Sequence, residues 1–319
     1  DTFADLSLAS KMAPDLSAVS EMFDSLSKQS LPHAKNDLTE LVELAESSGQ
    51  EEPLLHWDST FWSERLREKL YDYTDEELRP YFPLPRVLDG LFGLAEWLFD
   101  VKITRAEGEA PVWHDEVQYF KVFDATSGSQ MASFYLDPYS RPSEKRGGAW
   151  MGGCLDRRLV DGVVRLPVVH LICNGTPPVG DTPSLMSFRE VETLFHEFGH
   201  GLQGMLTTVN YAEVSGLGGI EWDAVELASQ FLENWCYHKE TLLGMTEHIE
   251  TGEALPEDLY DKIVASRNYR AGSLMLRQVE FGKTDMILHS TFDLNGSATV
   301  FDVHQKISAE LAVLPPFEE

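Results

Sequence analysis

Residues 193–201 of this chain read TLFHEFGHG and contain the pattern His-Glu-x-x-His. If the segment is helical, His196 and His200 lie four residues apart and share one face, where both imidazoles can bind one metal ion. Glu197 follows the first histidine, so its carboxylate can reach a water molecule held by that ion. The pattern also occurs by chance in unrelated chains, so the flanking sequence has to decide whether it is a site.

The flanking sequence predicts that the segment is a helix that lines a cleft. Ser187 and Glu190 have the spacing of a capping box, which starts a helix just before the motif. The two histidines and Gln203 share a face that differs from the apolar one. An apolar stripe with steps of three and four residues faces the predicted core: Val191, Phe195, Phe198, Leu202 and Met205. A helix with one face in the core and two imidazoles on another is typical of a zinc peptidase.

Composition narrows the class of protein. With 319 residues, of which 43% are hydrophobic, the chain can form one large domain or two. The net charge of −28 argues against nucleic acid or an anionic membrane as a partner. No apolar run approaches the roughly 20 residues that span a bilayer. Residues 1–5 show no signal-peptide pattern, so we expect a soluble protein that is not secreted.

The cysteines indicate the compartment. Cys154, Cys173 and Cys236 are odd in number, widely spaced and without a Cys-x-x-Cys pair. This usage favours buried thiols over a disulfide framework or a cysteine-type zinc site. We therefore expect a reducing location, either the cytoplasm or the interior of an organelle. The sequence does not indicate the oligomeric state.

Hydrophobic patterning divides the chain into three regions. Residues 1–100 are predicted to be helical, residues 101–182 to form a small β-sheet region, and residues 183–319 to form a helical zinc-binding region. The last helix is predicted to end before the proline pair at 315–316. The predicted fold is therefore mostly α with a small β-sheet, an α+β class, in one continuous lobe.

The same patterning gives three expectations about individual segments. The segment 145–153, KRGGAWMGG, is interpreted as too rich in glycine for a regular element. Residues 222–238 are predicted to form one helix. The sheet is expected to be built from strand-like runs at 117–123, 131–136 and 163–173.

A catalytic zinc site needs a third protein ligand and an open position for water. The best candidates lie in residues 221–235, EWDAVELASQFLENW, on a polar face with steps of three and four residues: Asp223, Glu226, Gln230 and Glu233. Such a face is usually only solvated. Here aromatic and aliphatic neighbours predict a largely buried helix, and buried carboxylates need a partner such as a metal ion. The spacing alone leaves the choice among the acidic residues open.

The motifs at 195–202, FHEFGHGL, and at 221–235 together resemble the thimet oligopeptidase / oligopeptidase A family, the M3 zinc metallopeptidases. Matching stretches also lie at 78–83, LRPYFP, at 146–151, RGGAWM, and at 277–282, RQVEFG. The similarity covers essentially the whole chain. It implies the zincin-like catalytic region of an M3 oligopeptidase, with several helices around the His-Glu-x-x-His helix.

The resemblance also implies roles for individual residues. One Zn²⁺ ion per chain would be held by His196, His200 and Glu226, and Glu197 would be the general base on zinc-bound water. The implied function is a zinc-dependent endopeptidase that hydrolyses short peptides. Short peptides would therefore be the partners, with neither nucleic acid nor a membrane involved.

Three further roles are hypotheses. Asp223 and Gln230 are placed as hydrogen-bond partners for the second ring nitrogens of the ligand histidines. The resemblance also implies a strand near 168–174 whose edge pairs with the substrate backbone. The loop 215–219 would line the cleft and bind substrate through three glycines: Gly216, Gly218 and Gly219.

The sequence also departs from the family pattern. Relatives have a long helical N-terminal half, and beyond the segment that resembles 311–315 they carry a histidine and tyrosines credited with stabilising the oxyanion. This chain stops at 319, so we expect a fragment of a larger two-lobed protein. The alternative function is a truncated, catalytically incomplete M3 homologue that binds zinc, peptide or a partner protein. A purely structural zinc site would require four protein ligands, and only three are found.

Overall fold

The computed structural model describes residues 2–314, which divide by their contacts into two units. A helical unit comprises 2–72, 221–223 and 265–314, and a mixed unit comprises Tyr73–Ile220 and Ala224–Val264. Both units are discontinuous in sequence, and the three consecutive regions expected from hydrophobic patterning remain a prediction. The proline pair predicted to end the last helix lies outside the described residues.

The helices are numbered in chain order. They are α1 (Phe3–Leu8), α2 (Leu16–Ser47), α3 (His56–Tyr71), α4 (Asp75–Leu78), α5 (Leu84–Phe99), α6 (Phe188–Met205), α7 (Leu227–Glu233), α8 (Lys239–Gly244), α9 (Glu257–Ser266), α10 (Ala271–Ser290) and α11 (Val300–Leu311). Within residues 2–314, no helix combines the length and the apolar character that a membrane crossing requires.

Seven strands occur in the described part of the chain. They are β1 (Val101–Arg105), β2 (Gln118–Asp124), β3 (Gln130–Tyr139), β4 (Trp150–Leu155), β5 (Arg158–Val160), β6 (Val163–Arg165) and β7 (Val168–Gly175). Five of them form a sheet in the order β1-β2-β3-β7-β4, while β5 and β6 form a separate hairpin. The pair β3–β7 is parallel, and the other pairs of the sheet are antiparallel. The predicted mostly α fold with a small β-sheet is confirmed.

The helical unit is built on the long helix α2. This helix packs along α10, and α10 in turn packs against α11. Their contact is filled by buried apolar side chains: Ala34, Leu276, Val279, Ile307 and Leu311. The spacing of three residues on α10 and of four residues on α11 places these side chains on one face of each helix.

In the mixed unit, helix α6 lies across β3, β7 and β4. Its start is the predicted capping box: the Ser187 hydroxyl accepts a hydrogen bond from the Glu190 N–H, and the Glu190 carboxylate accepts one from the Ser187 N–H. Phe198 meets Phe134 of β3 edge to face, with ring centroids 5.7 Å apart. All five side chains of the predicted apolar stripe are buried. The sheet therefore fixes which face of α6 stays open.

The prediction that 145–153 contains no regular element is wrong. Residues Trp150–Leu155 form β4, whose register with β7 pairs Trp150 with Ile172 and Met151 with Leu171. Pairing with a buried neighbouring strand satisfies the backbone groups of this segment in spite of its glycines. Because β3 and β4 flank β7, the expectation that a strand near 168–174 offers a free edge is also wrong. The free edge on this side belongs to β4.

The single helix predicted over 222–238 is also wrong. The segment is interrupted, with a 3₁₀ turn at Trp222–Ala224, then α7, then a second 3₁₀ turn at Asn234–Tyr237. The expected burial holds for Val225 but fails for Trp222 and Phe231, which are 66% and 52% exposed. Large aromatic side chains do not by themselves show that a helix is buried, because apolar atoms make up much of any protein surface.

Candidate metal centre

His196 and His200 of α6 and Glu226, which directly precedes α7, come together in the mixed unit. One potential ligand atom from each lies within 4.8 Å of the others. The Glu226 Oε2 atom is 3.2 Å from His196 Nε2 and 3.1 Å from His200 Nε2. Zinc bonds of about 2.0–2.1 Å place tetrahedral donors about 3.3 Å apart, so two imidazoles and one carboxylate at these distances fit a three-ligand zinc site.

Close packing of α7 on α6 holds Glu226 in this position. At Gly199, between the two histidines, a Cβ atom would lie 2.7 Å from both Ala228 O and Ser229 Cα, so only glycine lets the backbones approach this closely. The buried Ser229 hydroxyl donates to Glu226 Oε2 at 2.7 Å. Packing and this hydrogen bond together orient the carboxylate toward the histidines.

Glu197 is a buried acid beside the ligand cluster, with only 5% of its surface exposed. Burial raises the pKa of its carboxyl, and the negative charge of Glu226 raises it further. His196 and the backbone N–H of Met151, in β4, act in the opposite direction without reversing the shift. A carboxylate held in this way is a stronger base than an exposed one.

The second ring nitrogens of the two histidines differ. His196 Nδ1 lies 2.6 Å from Glu233 Oε1, on the last residue of α7. With a proton on Nδ1, this hydrogen bond leaves Nε2 free to bind a metal ion. His200 Nδ1 is buried and has no hydrogen-bond partner among residues 2–314. Burial also lowers the pKa of His200, which favours the neutral imidazole that a metal ligand must be.

The comparisons with known proteins agree with this geometry. A model of peptidase family M3 matches residues 1–316. The chain belongs to peptidase family M3. It is 51% identical over 325 residues to organellar oligopeptidase A, chloroplastic/mitochondrial, of Arabidopsis thaliana, a match that covers 100% of this chain and 41% of the relative. Oligopeptidase A of Escherichia coli (strain K12) is 41% identical over 316 residues, covering 99% of this chain and 46% of the relative.

A third relative carries a different name. The dipeptidyl carboxypeptidase of Salmonella typhimurium is 33% identical over 265 residues, covering 82% of this chain and 38% of the relative. The M3 chain thus spans less than half the length of these three relatives. The resemblance inferred from the two motifs is confirmed at the level of the family.

In this M3 chain, neither residue predicted to support the histidines makes a hydrogen bond to their rings within residues 2–314. The carboxylate of Asp223 belongs to the helical unit and accepts hydrogen bonds from the N–H groups of Met12, at 2.9 Å, and Ala13, at 3.0 Å. Gln230 makes no hydrogen bond to either histidine ring within residues 2–314. Glu233 occupies the expected position at His196 instead. Glu233 belongs to the acidic face that the sequence singled out, but nothing in that spacing pointed to His196.

The glycine loop lies against the C-terminal part of α6. Gly216 adopts a left-handed φ of +62°, and a Cβ atom there would lie 3.1 Å from Gly204 Cα. The Gln203 amide contacts the Gly216 carbonyl at 3.5 Å. The loop therefore packs close to the helix that carries the histidines, and the binding of substrate by Gly216, Gly218 and Gly219 remains a prediction.

All three cysteines of the M3 chain are free. Cys173 and Cys236 are buried as expected, and burial raises the pKa of Cys173 to about 12. The expectation of a buried thiol is wrong for Cys154. This residue lies in the edge strand β4, where the pairing with β7 is irregular, and its side chain is exposed.

Proposed function

We propose that this chain carries the zinc-dependent peptide-hydrolysing centre of an M3 oligopeptidase. His196, His200 and Glu226 would hold one Zn²⁺ ion, and Glu197 would be the general base. When bound, zinc polarises a carbonyl oxygen and lowers the pKa of water, which supplies a nucleophile at neutral pH. The observation that carries the proposal is the meeting of three ligand atoms within 4.8 Å beside a buried carboxyl group.

The buried Glu197 carboxylate would take the proton from the attacking water and pass it to the leaving amine. Its pKa, raised by burial, supports this role because a base works best when its pKa approaches the operating pH. Glu233 would keep the His196 ring in the tautomer that binds metal, through the contact at Nδ1. The two residues thus have different tasks, one in proton transfer and one in holding a ligand.

The substrate would bind as an extended peptide along β4. This strand pairs with β7 on one side and with no other strand of the sheet on its second side within residues 2–314. Such an edge can add a peptide as a further strand through main-chain hydrogen bonds. The backbone of Met151 lies beside Glu197, so a peptide on this edge would pass the proposed base. The glycine loop 215–219 would border the same cleft.

Short peptides are the proposed partners, since the organellar relative of Arabidopsis thaliana and the relative of Escherichia coli are both named oligopeptidases. The net charge of −28 supports neither nucleic acid nor an anionic membrane surface as a partner. We propose a compartment inside the cell. The organellar relative is described as chloroplastic/mitochondrial, and a second Arabidopsis thaliana relative, 51% identical over 323 residues, is described as probable cytosolic oligopeptidase A.

The test compares zinc content and cleavage of a quenched fluorescent peptide in the unmutated chain and in Glu197→Gln. Both proteins should hold one equivalent of zinc, and the substitution should lower the cleavage rate by about 10²–10⁴-fold. Glu240→Gln, which removes an exposed carboxylate of α8, is the control and should cleave normally. Zinc bound without Glu197-dependent cleavage would refute the hydrolytic function. A folded chain that retains no zinc would refute the metal centre.

A further inference from the structure

A cavity of about 280 Å³ lies in the mixed unit at the N-terminal part of α6. Helix α6 contributes Arg189 and Thr193 to its wall, and Gly148 and Ala149, which lead into β4, form another part. Much of the remaining lining is apolar. The cavity therefore borders the histidine helix and the residues that lead into the edge strand, the two elements that the proposed peptide site uses.

Arg189 is an exposed cation in this wall. Within residues 2–314, its guanidinium takes part in no ion pair and no hydrogen bond. The neighbouring carboxylate of Glu190 is fully engaged, because it accepts hydrogen bonds from Ser187, Thr176 and Arg79. Glu190, which also lines the cavity, thus forms an ion pair with Arg79 and none with Arg189. In a chain of net charge −28, an unpaired arginine on a cavity wall is available for an anion, and its planar group suits a carboxylate.

Two independent spacings place this arginine relative to the proposed metal centre. Arg189 precedes His196 by seven residues, two helical turns, so both lie on one face of α6 about 10 Å apart along its axis. Gly148 precedes Met151, whose backbone lies beside Glu197, by three residues, which span at most about 10 Å. Helix and strand therefore both allow a separation of about 10 Å between Arg189 and the proposed metal centre.

The direction of the peptide follows from the sheet. Antiparallel pairing is the more stable arrangement, and a peptide antiparallel to β4 runs from Leu155 toward Trp150. Its C-terminal side then passes Met151 and reaches the cavity at Gly148. A distance of about 10 Å corresponds to about three residues of extended peptide.

We infer that Arg189 binds a carboxylate of the peptide about three residues to the C-terminal side of the cleaved bond. This inference rests on the proposed function, whose substrate class it specifies. The carboxylate is supplied either by the C-terminus of a short peptide or by an aspartate or glutamate side chain at that position. Arg189 is thus a specificity-determining residue, which the proton transfer by Glu197 does not require.

The test measures peptide binding to the zinc-loaded Glu197→Gln chain, which prevents cleavage, by fluorescence anisotropy. Three labelled heptapeptides of alanine with one central phenylalanine are compared: the free acid, its C-terminal amide, and the amide with glutamate as the last residue. At least one of the two peptides that carry a carboxylate should bind about tenfold tighter than the plain amide. Which of them does so identifies the source of the carboxylate.

Further substitutions in the Glu197→Gln chain show whether Arg189 causes the preference for a carboxylate. Arg189→Gln should abolish the preference while leaving the affinity for the plain amide unchanged, and Arg189→Lys should keep part of it. Arg158→Gln, which removes another exposed arginine of the mixed unit, should keep the full preference. Thermal unfolding verifies that the variants are folded.

Binding and cleavage separate this inference from the function on which it rests. A preference that depends on Arg189, in a chain that does not cleave peptides, would support the carboxylate site and refute hydrolysis. Cleavage of all three peptides by the unmutated chain, without any preference in binding, would refute the role of Arg189 and support hydrolysis. A preference that survives in Arg189→Gln, or the absence of any peptide binding, would also refute the role of Arg189.

Discussion

Replacing Glu233 by alanine should weaken zinc binding, although Glu233 is not one of the three proposed ligands. The Oε1 atom of Glu233 lies 2.6 Å from Nδ1 of His196, on the side of the ring opposite the Nε2 atom that faces Glu226. This contact fixes the orientation of the ring and its tautomer, and it makes the imidazole a better electron-pair donor to a metal ion. Without it, His196 can rotate or carry its proton on the nitrogen that should bind metal.

The size of the effect follows from the geometry. Loss of such a partner typically lowers metal affinity by about 10–100-fold, or about 1.4–2.8 kcal/mol. The Glu233 side chain is 36% exposed, so water can take over part of its hydrogen bond in the alanine variant. We therefore expect a loss close to tenfold for Glu233→Ala. Glu233→Gln can still accept the hydrogen bond without the charge and should lose less.

The assay is a competition between the protein and a fluorescent zinc chelator, read as the dissociation constant of each variant. Gln230→Ala serves as the matched control, since Gln230 is an exposed residue of the same helix without a hydrogen bond to either histidine ring within residues 2–314. It should bind zinc like the unmutated chain. If Glu233→Ala also does so, while circular dichroism shows an intact fold, the positioning role of Glu233 is wrong.

In Gly199→Ala, the added methyl group meets the backbone of α7 at 2.7 Å, so the free energy of unfolding measured in urea should fall by about 1–3 kcal/mol. An unchanged unfolding midpoint would contradict the packing argument. Burial would raise the pKa of Asp137, but hydrogen bonds from Arg141 and Lys145 hold it below its ordinary value of 3.8. Because the pKa of Asp137 is lower in the folded chain than in the unfolded chain, its carboxylate stabilises the fold at pH values above the unfolded-state pKa. This stabilisation is lost as the pH falls through the folded-state pKa. Acid unfolding followed by circular dichroism should therefore be less pH-dependent in Asp137→Asn, and an identical acid transition would refute this. A thiol reagent should modify only Cys154 rapidly in the folded chain; rapid reaction of a second thiol would contradict the burial of the others.

The local part of the site could be predicted from the sequence because it depends on helix geometry. His196 and His200 share a face of any helix by their spacing, and the spacing of Ser187 and Glu190 predicts where that helix begins. The third candidate, Glu226, could be singled out only through the resemblance to the M3 family. Several carboxylates shared its face, and local spacing could not choose among them.

The partners of these residues could not be predicted in the same way. Glu233 is 37 positions from His196, and their contact depends on how closely α7 approaches α6 at Gly199. Asp223 has the same acidic character as its neighbours, but the chain places its carboxylate on the backbone of Met12 and Ala13. Spacing along one helix does not define such contacts, because they require two elements to be positioned together.

By itself, the sequence determined the class of the fold, the helix of residues 188–205, the face that carries the histidines, and the family. These depend on periodicity within one element and on motifs that are contiguous in the chain. Only the tertiary structure decided that β4 is the edge strand and that Glu233 supports His196. It also placed an unpaired Arg189 beside a cavity. Strand order and contacts between helices arise from pairing and packing over long sequence separations, which a local pattern does not encode.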